Sequence, residues 1–142
     1  GTDLFALRPD VQTVRDPYTG ETLTVFPPIR CDVAVIHALV ADRRGNARLN
    51  ANLGIDFELA LLARTVIITA EEVVESVTED VHLPGELVDA VVPLPRGAWP
   101  TSCYPVYPIA GGEVLRYVEA CAGGQFDAYL RGVLARRAPV DI

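Results

Sequence analysis

The sequence predicts an α/β fold built on a mostly parallel sheet with flanking helices. Three observations predict it: two β-rich runs, Val33 to Ala38 and Thr65 to Thr69; one amphipathic helical stretch between them; and links short enough to make the three a strand, helix, strand crossover. With 142 residues, half of them hydrophobic, the chain suits one domain, residues 1–142, with a single core, and disorder of the whole chain is excluded.

The elements follow in order. Asp16 to Glu21 (DPYTGE) gathers Asp, Pro and Gly between two apolar segments, the composition of a hairpin turn. Thr22 to Phe26 alternates as a strand does, and Pro27-Pro28 ends it. Val33 to Ala38 is apolar almost without alternation, which reads as a strand buried on both faces. Asp42 to Asn46 (DRRGN) is a polar turn that returns the chain into Ala47-Arg48-Leu49. Ile55, Leu59 and Leu62 recur at i, i+4 and i+7, with Asp56 and Glu58 in the first turn, so a helix is expected from about Ile55 to Ala63. The β-branched run Thr65 to Thr69 is the next strand, and Val88 to Leu94 supplies another. Pro93, Pro95, Pro100, Pro105 and Pro108 make Leu94 to Ile109 a stiff irregular loop of a length that is often functional. Two helices close the chain: Glu113 to Cys121, with Val114, Leu115 and Val118 on one side, and a second carrying the stripe Phe126, Tyr129, Leu130, Val133, Leu134.

Charge and composition exclude several functions. A formal charge of -7 repels phosphate backbones and anionic lipid, so neither nucleic acid nor a membrane is an expected partner. The longest apolar stretches are far shorter than a membrane span, and no charged-then-apolar leader opens the chain, so a cytoplasmic location is expected. The opening Gly1-Thr2-Asp3 lacks methionine, as a processed, cleaved or engineered terminus would. Cys31, Cys103 and Cys121 form no CxxC pair and read as buried or incidental thiols. His37 and His82 have no local second ligand and read as structural, so no metal site is expected. Glu71 and Glu72 follow the Thr65 to Thr69 strand, where α/β sheets place functional groups; a solvated acidic turn or a helix N-terminus is the plain alternative. Hydrolase-elbow, dinucleotide and P-loop motifs do not occur.

Three segments then carry a resemblance. Pro28 to Ala38 (PIRCDVAVIHA) with Ala41 to Ala47 (ADRRGNA), Val66 to Val74 (VIITAEEVV), and Leu83 to Val92 (LPGELVDAVV) with Pro95 to Pro100 (PRGAWP) resemble, in order, the A subunit of family I CoA-transferases. Gly1 to Leu4 and the Asp16 to Glu21 turn resemble its glutaconate-type members. The resemblance implies a CoA-transferase/NagB-like fold, here a partial unit corresponding to the C-terminal half of the subunit. It also implies a function. In the family a glutamate carboxylate attacks an acyl-CoA thioester to give an acyl-glutamyl anhydride; CoA thiolate returns to form a glutamyl-CoA thioester, which an acceptor carboxylate then opens. The family places that glutamate on the B subunit or B-like half, so no catalytic residue is assigned here. The implied partners are a B subunit or B-like half in an oligomer, with small acyl-CoA and carboxylate substrates; the CoA thioester is a substrate, and no cofactor is expected to be bound.

Residues expected near substrate or CoA are Asp42, Gly45, Asn46, Glu71, Glu72, Gly97, Ala98 and Trp99. For Asp42, Gly45 and Asn46 an ordinary turn is the competing reading, and at Trp99 many family members carry His. Two other functions stay open: a hydrolase of the same fold that opens rings in CoA thioesters, and a non-catalytic partner- or ligand-binding domain. Trp99, Tyr104, Val106, Tyr107 and Ile109 are expected either to dock on a partner or to fold back onto the core.

Overall fold

The computed structural model describes residues 3–136. A helical turn, α1 (Leu4–Leu7), precedes an antiparallel ribbon of β1 (Gln12–Arg15) and β2 (Thr22–Val25). The expected turn joins them. Asp16 Oδ1 accepts the amides of Tyr18 and Thr19 at 2.7 and 3.1 Å, and Gly20 sits at φ +74°, where a side chain would be strained.

The main sheet runs in the order β4 (Ala47–Arg48), β3 (Cys31–Asp42), β5 (Ala63–Val74), β6 (Ala90–Pro93). β3 with β5 and β5 with β6 are parallel, while the short β4 is antiparallel to β3, so the sheet is mixed but mostly parallel as expected. The helix α2 (Asp56–Leu62) makes the crossover from β4 to β5. Its Ala60 and Leu59 pack over Ala34, Ile36 and Ala38 of β3 and Val66, Ile68 and Ala70 of β5, and Leu49 and Leu83 complete this core. Leu83 is tied to Ala47 by backbone bonds in both directions, at 2.9 and 3.1 Å.

Two expectations are corrected by the structure. Over its first half, Val33 to Ile36, β3 is buried on one face only: Ala34 and Ile36 are 6% and 5% exposed, whereas Val33 and Val35 are 53% and 63% exposed. Side chains alternate across a strand, and α2 covers one side of this stretch; the valines on the other side hide the alternation from a reading of hydrophobicity alone. Glu71 and Glu72 lie inside β5, which runs to Val74, and therefore point to opposite faces instead of sharing a turn beyond the strand.

The β3–β4 turn is organised by a buried carboxylate. Asp42 is 0% exposed. Its Oδ1 accepts the amides of Arg44 and Asn46 at 2.9 and 3.1 Å, and its Oδ2 accepts Asn46 Nδ2–H and the Val77 amide at 2.9 and 3.0 Å. Burial alone would raise the Asp42 pKa, but these donors outweigh it and hold the carboxyl below the usual range. Gly45 takes φ +96° with Val88 Cβ only 2.7 Å from where its own Cβ would stand, and Asn46 Oδ1 accepts the Gly85 amide at 3.0 Å. The turn thereby clamps a 3-10 turn at Gly85–Leu87.

The helices α3 (Gly111–Ala122) and α4 (Phe126–Arg136) pack on each other through Tyr117, whose ring centroid is 6.2 Å from Phe126 and 5.8 Å from Tyr129. Glu113, buried, is paired with Arg116 and Arg136. The apolar sides of both helices are only partly covered, since Leu115, Val118, Leu130 and Leu134 are exposed. No helix among the described residues is long and apolar enough to cross a membrane.

Candidate functional site

Parallel pairing sets up the site. His37 of β3 stands opposite Thr69 of β5, and Glu71, two residues on, points to the same face as both. This is the face opposite α2. Near its carboxyl end it is covered by the proline-rich loop after β6, whose Leu94 amide bonds the Ala70 carbonyl at 2.8 Å.

Glu71 is the hub. Its Oε2 accepts the backbone amide of Arg96 at 2.7 Å, and its Oε1 accepts the Tyr107 hydroxyl at 2.8 Å and faces His37 Nε2 at 2.7 Å. With the carboxylate as acceptor, Nε2 carries the hydrogen, which leaves Nδ1 to accept from the Thr69 hydroxyl at 2.8 Å in the neutral imidazole. The Tyr107 oxygen in turn accepts the Ala98 amide at 3.1 Å. Gly97 closes over His37: a Cβ there would lie 2.6 Å from the imidazole Cε1. Arg96, at φ +59°, carries its guanidinium carbon 5.0 Å from the Tyr107 ring centroid, a cation–π distance. Cys103 and Tyr107 exchange backbone bonds at 3.0 Å in both directions, so the far limb of the loop is a small closed ladder.

The electrostatics follow from this packing. The Glu71 side chain is 9% exposed and that of His37 16%. Burial pushes the Glu71 pKa up, but the Arg96 amide, His37 and Tyr107 together bring it below the ordinary carboxylate value, so the group stays anionic. Burial, and donation to Glu71, push Tyr107 up to about 12. Burial and the Glu71 charge also raise Cys103, which keeps the thiol protonated and a poor nucleophile. His37, Glu71 and Cys103 bring ligand-type atoms within 4.8 Å of one another. A metal held there would have to displace the hydrogens that Glu71 already accepts. What the arrangement does chemically is fix a loop with a saturated anion; a carboxylate so fully bonded is a weak base and nucleophile.

Of the residues expected near substrate, the structure brings Glu71, Gly97, Ala98 and Trp99 together, the last three on the fastened loop, where Trp99 is half-buried. Glu72 points the other way and lines a groove of about 320 Å³ with Arg48, Ser76 and Thr78. Asp42 ends β3, five residues and about 16 Å along the strand from His37, and Gly45 and Asn46 lie in the turn that follows it. Tyr107 folds back into the site, while Tyr104, Val106 and Ile109 are exposed. His82 accepts the Leu49 amide at 3.0 Å, a structural bond. Sequence patterns alone do not place His37, Thr69, Arg96, Cys103 or Tyr107 in a site.

A family model described as coenzyme A transferase matches residues 10–93. The A subunit of the 3-oxoadipate CoA-transferase of Pseudomonas knackmussii is 38% identical over 110 residues, covering 75% of this chain and 39% of the relative. A solved variant of the decarboxylase AibA/AibB superposes with a TM-score of 0.84 at 36% identity, over 94% of this chain and 50% of the other. Glutaconate coenzyme A-transferase from Acidaminococcus fermentans superposes at 0.79 with 29% identity, over 87% and 41%. The chain thus spans half or less of the length of each of these proteins. With the family match extending over more than half of the sequence, from before β1 through β6, the chain belongs to the coenzyme A transferase family.

Proposed function

We propose that this chain is part of an A-type CoA-transferase subunit. In this reading it helps to wall a site in which CoA passes between an acyl-CoA and a carboxylic acid, the nucleophilic glutamate being supplied by a B-type partner. One observation supports this above others: the carboxylate near the carboxyl ends of the parallel strands, where α/β sheets keep their chemistry, is spent on fastening a loop and not on attack. A covalent ping-pong route needs a free carboxylate to form the anhydride and then the glutamyl thioester. Glu71 is not such a group. The work left to this chain is positioning and exclusion of water, which protects both acyl intermediates from hydrolysis.

The test is co-expression of the A-type subunit that carries these residues with a B-type partner, followed by assay of CoA exchange between an acyl-CoA and a carboxylate. Turnover is expected only with the partner, with the CoA adduct found on the partner by mass spectrometry. An adduct and turnover on this chain alone would overturn the proposal. A second reading has specific support, because a decarboxylase shares the fold at 36% identity. Release of carbon dioxide from a CoA-bound acid, without CoA exchange, would favour it, and hydrolytic ring opening of a CoA thioester would favour a hydrolase; fold alone does not choose among reactions.

A further inference from the structure

We propose that Glu71 is a positioning residue that closes the 96–107 loop at both ends and so fixes how the Gly97-Ala98-Trp99 segment is presented to the acyl group of the substrate. The loop geometry follows from the bonds alone. The first limb enters at Arg96, whose amide is held by Glu71 Oε2, and the second leaves at Tyr107, whose hydroxyl is held by Glu71 Oε1. The same hydroxyl accepts the Ala98 amide, so the two limbs are joined to each other as well as to the strand. Between these ties the chain makes successive tight turns, with Gly97, Trp99 and Thr101 amides bonded to the carbonyls of Leu94, Arg96 and Ala98 at 2.9, 3.1 and 2.9 Å. His37 supports the hub from below, occupying the space that any side chain at position 97 would need. Both ends of a twelve-residue segment are thus tied to one side chain on an interior strand of the sheet. A support of that kind sets the precision of groups carried on a loop. Arg96 at φ +59° is held in a sparsely populated conformation, which persists only where surrounding bonds impose it.

The substrate part of this inference rests on the transferase reading; the mechanical part does not. Two measurements keep their failures apart. In the 142-residue chain, Glu71→Gln keeps the shape but turns an amide NH₂ toward donors. Hydrogen exchange at the Arg96 and Ala98 amides is then expected to speed up roughly ten-fold or more, the loss appropriate to a bond to a charged group, while the amides of Val66 to Ile68 stay protected. Tyr107→Phe removes only the hydroxyl and is expected to release the Ala98 amide; it serves if the first variant does not fold. Unchanged exchange at Ala98 in Tyr107→Phe, with native circular dichroism, would overturn the clasp. In the assembled enzyme, Glu71→Gln is expected to raise KM for the acyl-CoA about ten-fold with kcat changed less than about three-fold, and to act non-additively with Trp99→Ala. A fall in kcat at constant KM, or full additivity, would overturn the positioning role. Absence of any wild-type CoA exchange would instead refute the transferase reading and leave the exchange result to decide the clasp.

Discussion

Replacing Asp42 separates a structural turn from a substrate-binding one, and the cost can be worked from its bonds. The carboxylate is fully buried and accepts four hydrogens: the Arg44 and Asn46 amides at Oδ1, Asn46 Nδ2–H and the Val77 amide at Oδ2. Asp42→Ala orphans all four. Each buried donor left unpaired costs about 1–3 kcal/mol, and the donors of exposed Arg44 and half-buried Val77 regain water, so the loss sums to about 3–4 kcal/mol. Asp42→Asn should cost about half as much. Its remaining oxygen can serve the Oδ1 pair, but its NH₂ meets the Asn46 NH₂ and the Val77 amide. Flipping Asn46 to relieve that clash would give up the bond from the Gly85 amide. Urea denaturation with a common slope measures both, and in thermal melts the Ala variant should fall by roughly 10–15 °C. A cost below about 1 kcal/mol for Asp42→Ala, or equal costs for Ala and Asn, would refute the division of work between the two oxygens. A selective rise in KM without loss of stability would return Asp42 to the substrate site.

Gly97→Ala places a Cβ 2.6 Å from His37 Cε1 and 2.9 Å from the Leu94 carbonyl, and a loss of about 1–3 kcal/mol is expected in denaturant titrations; a neutral result would mean the loop moves freely over His37. Glu71 and Asp42 have folded pKa values below their ordinary ones, so their stabilisation is complete above about pH 4.5 and is lost as pH falls through the folded values; stability measured from about pH 6 to about pH 2 should decline there, and less steeply in Glu71→Gln. Tyr107 is shifted the other way: its contribution is full below about pH 10 and is lost as pH rises toward its folded value of about 12, so Tyr107→Phe should flatten the alkaline limb. Val35→Ser, on the exposed face, should change the stability of this chain by no more than about 0.5 kcal/mol, and a larger loss would show that face to be buried in solution.

Much of the fold is legible in the sequence because it depends on local pattern. The change from β-branched runs to a 3.6-residue period at Ile55 marks the crossover, and the parallel pairing of β3 with β5 follows from it. The burial of β3 is not legible, because valines occupy one face and alanine and isoleucine the other, and hydrophobicity without alternation does not say which face has a neighbour. Helices α3 and α4 keep their expected places, but the exposure of their apolar sides depends on what packs beside them, which no periodicity records.

The site is half legible for a different reason. Glu71 lies 34 positions from His37 and 36 from Tyr107, and nothing in their neighbourhoods marks the three as partners. A strand register would join the first two. The pairing of Val33 with Thr65 carries an offset that puts His37 beside Thr69 and Glu71 next along the same face. Parity then separates Glu71 from Glu72, which a reading of the two as one acidic pair does not do. Tyr107 is out of reach by this route, since its place depends on where a twelve-residue loop returns. Yet the composition holds a clue: a loop stiffened by proline, with a tyrosine beyond a Gly-Ala-Trp-Pro turn, needs a fixed partner for its hydroxyl once the ring is buried. A buried phenol and a buried carboxylate are each costly alone and stable together, so the pairing of the two is what the physics of burial selects.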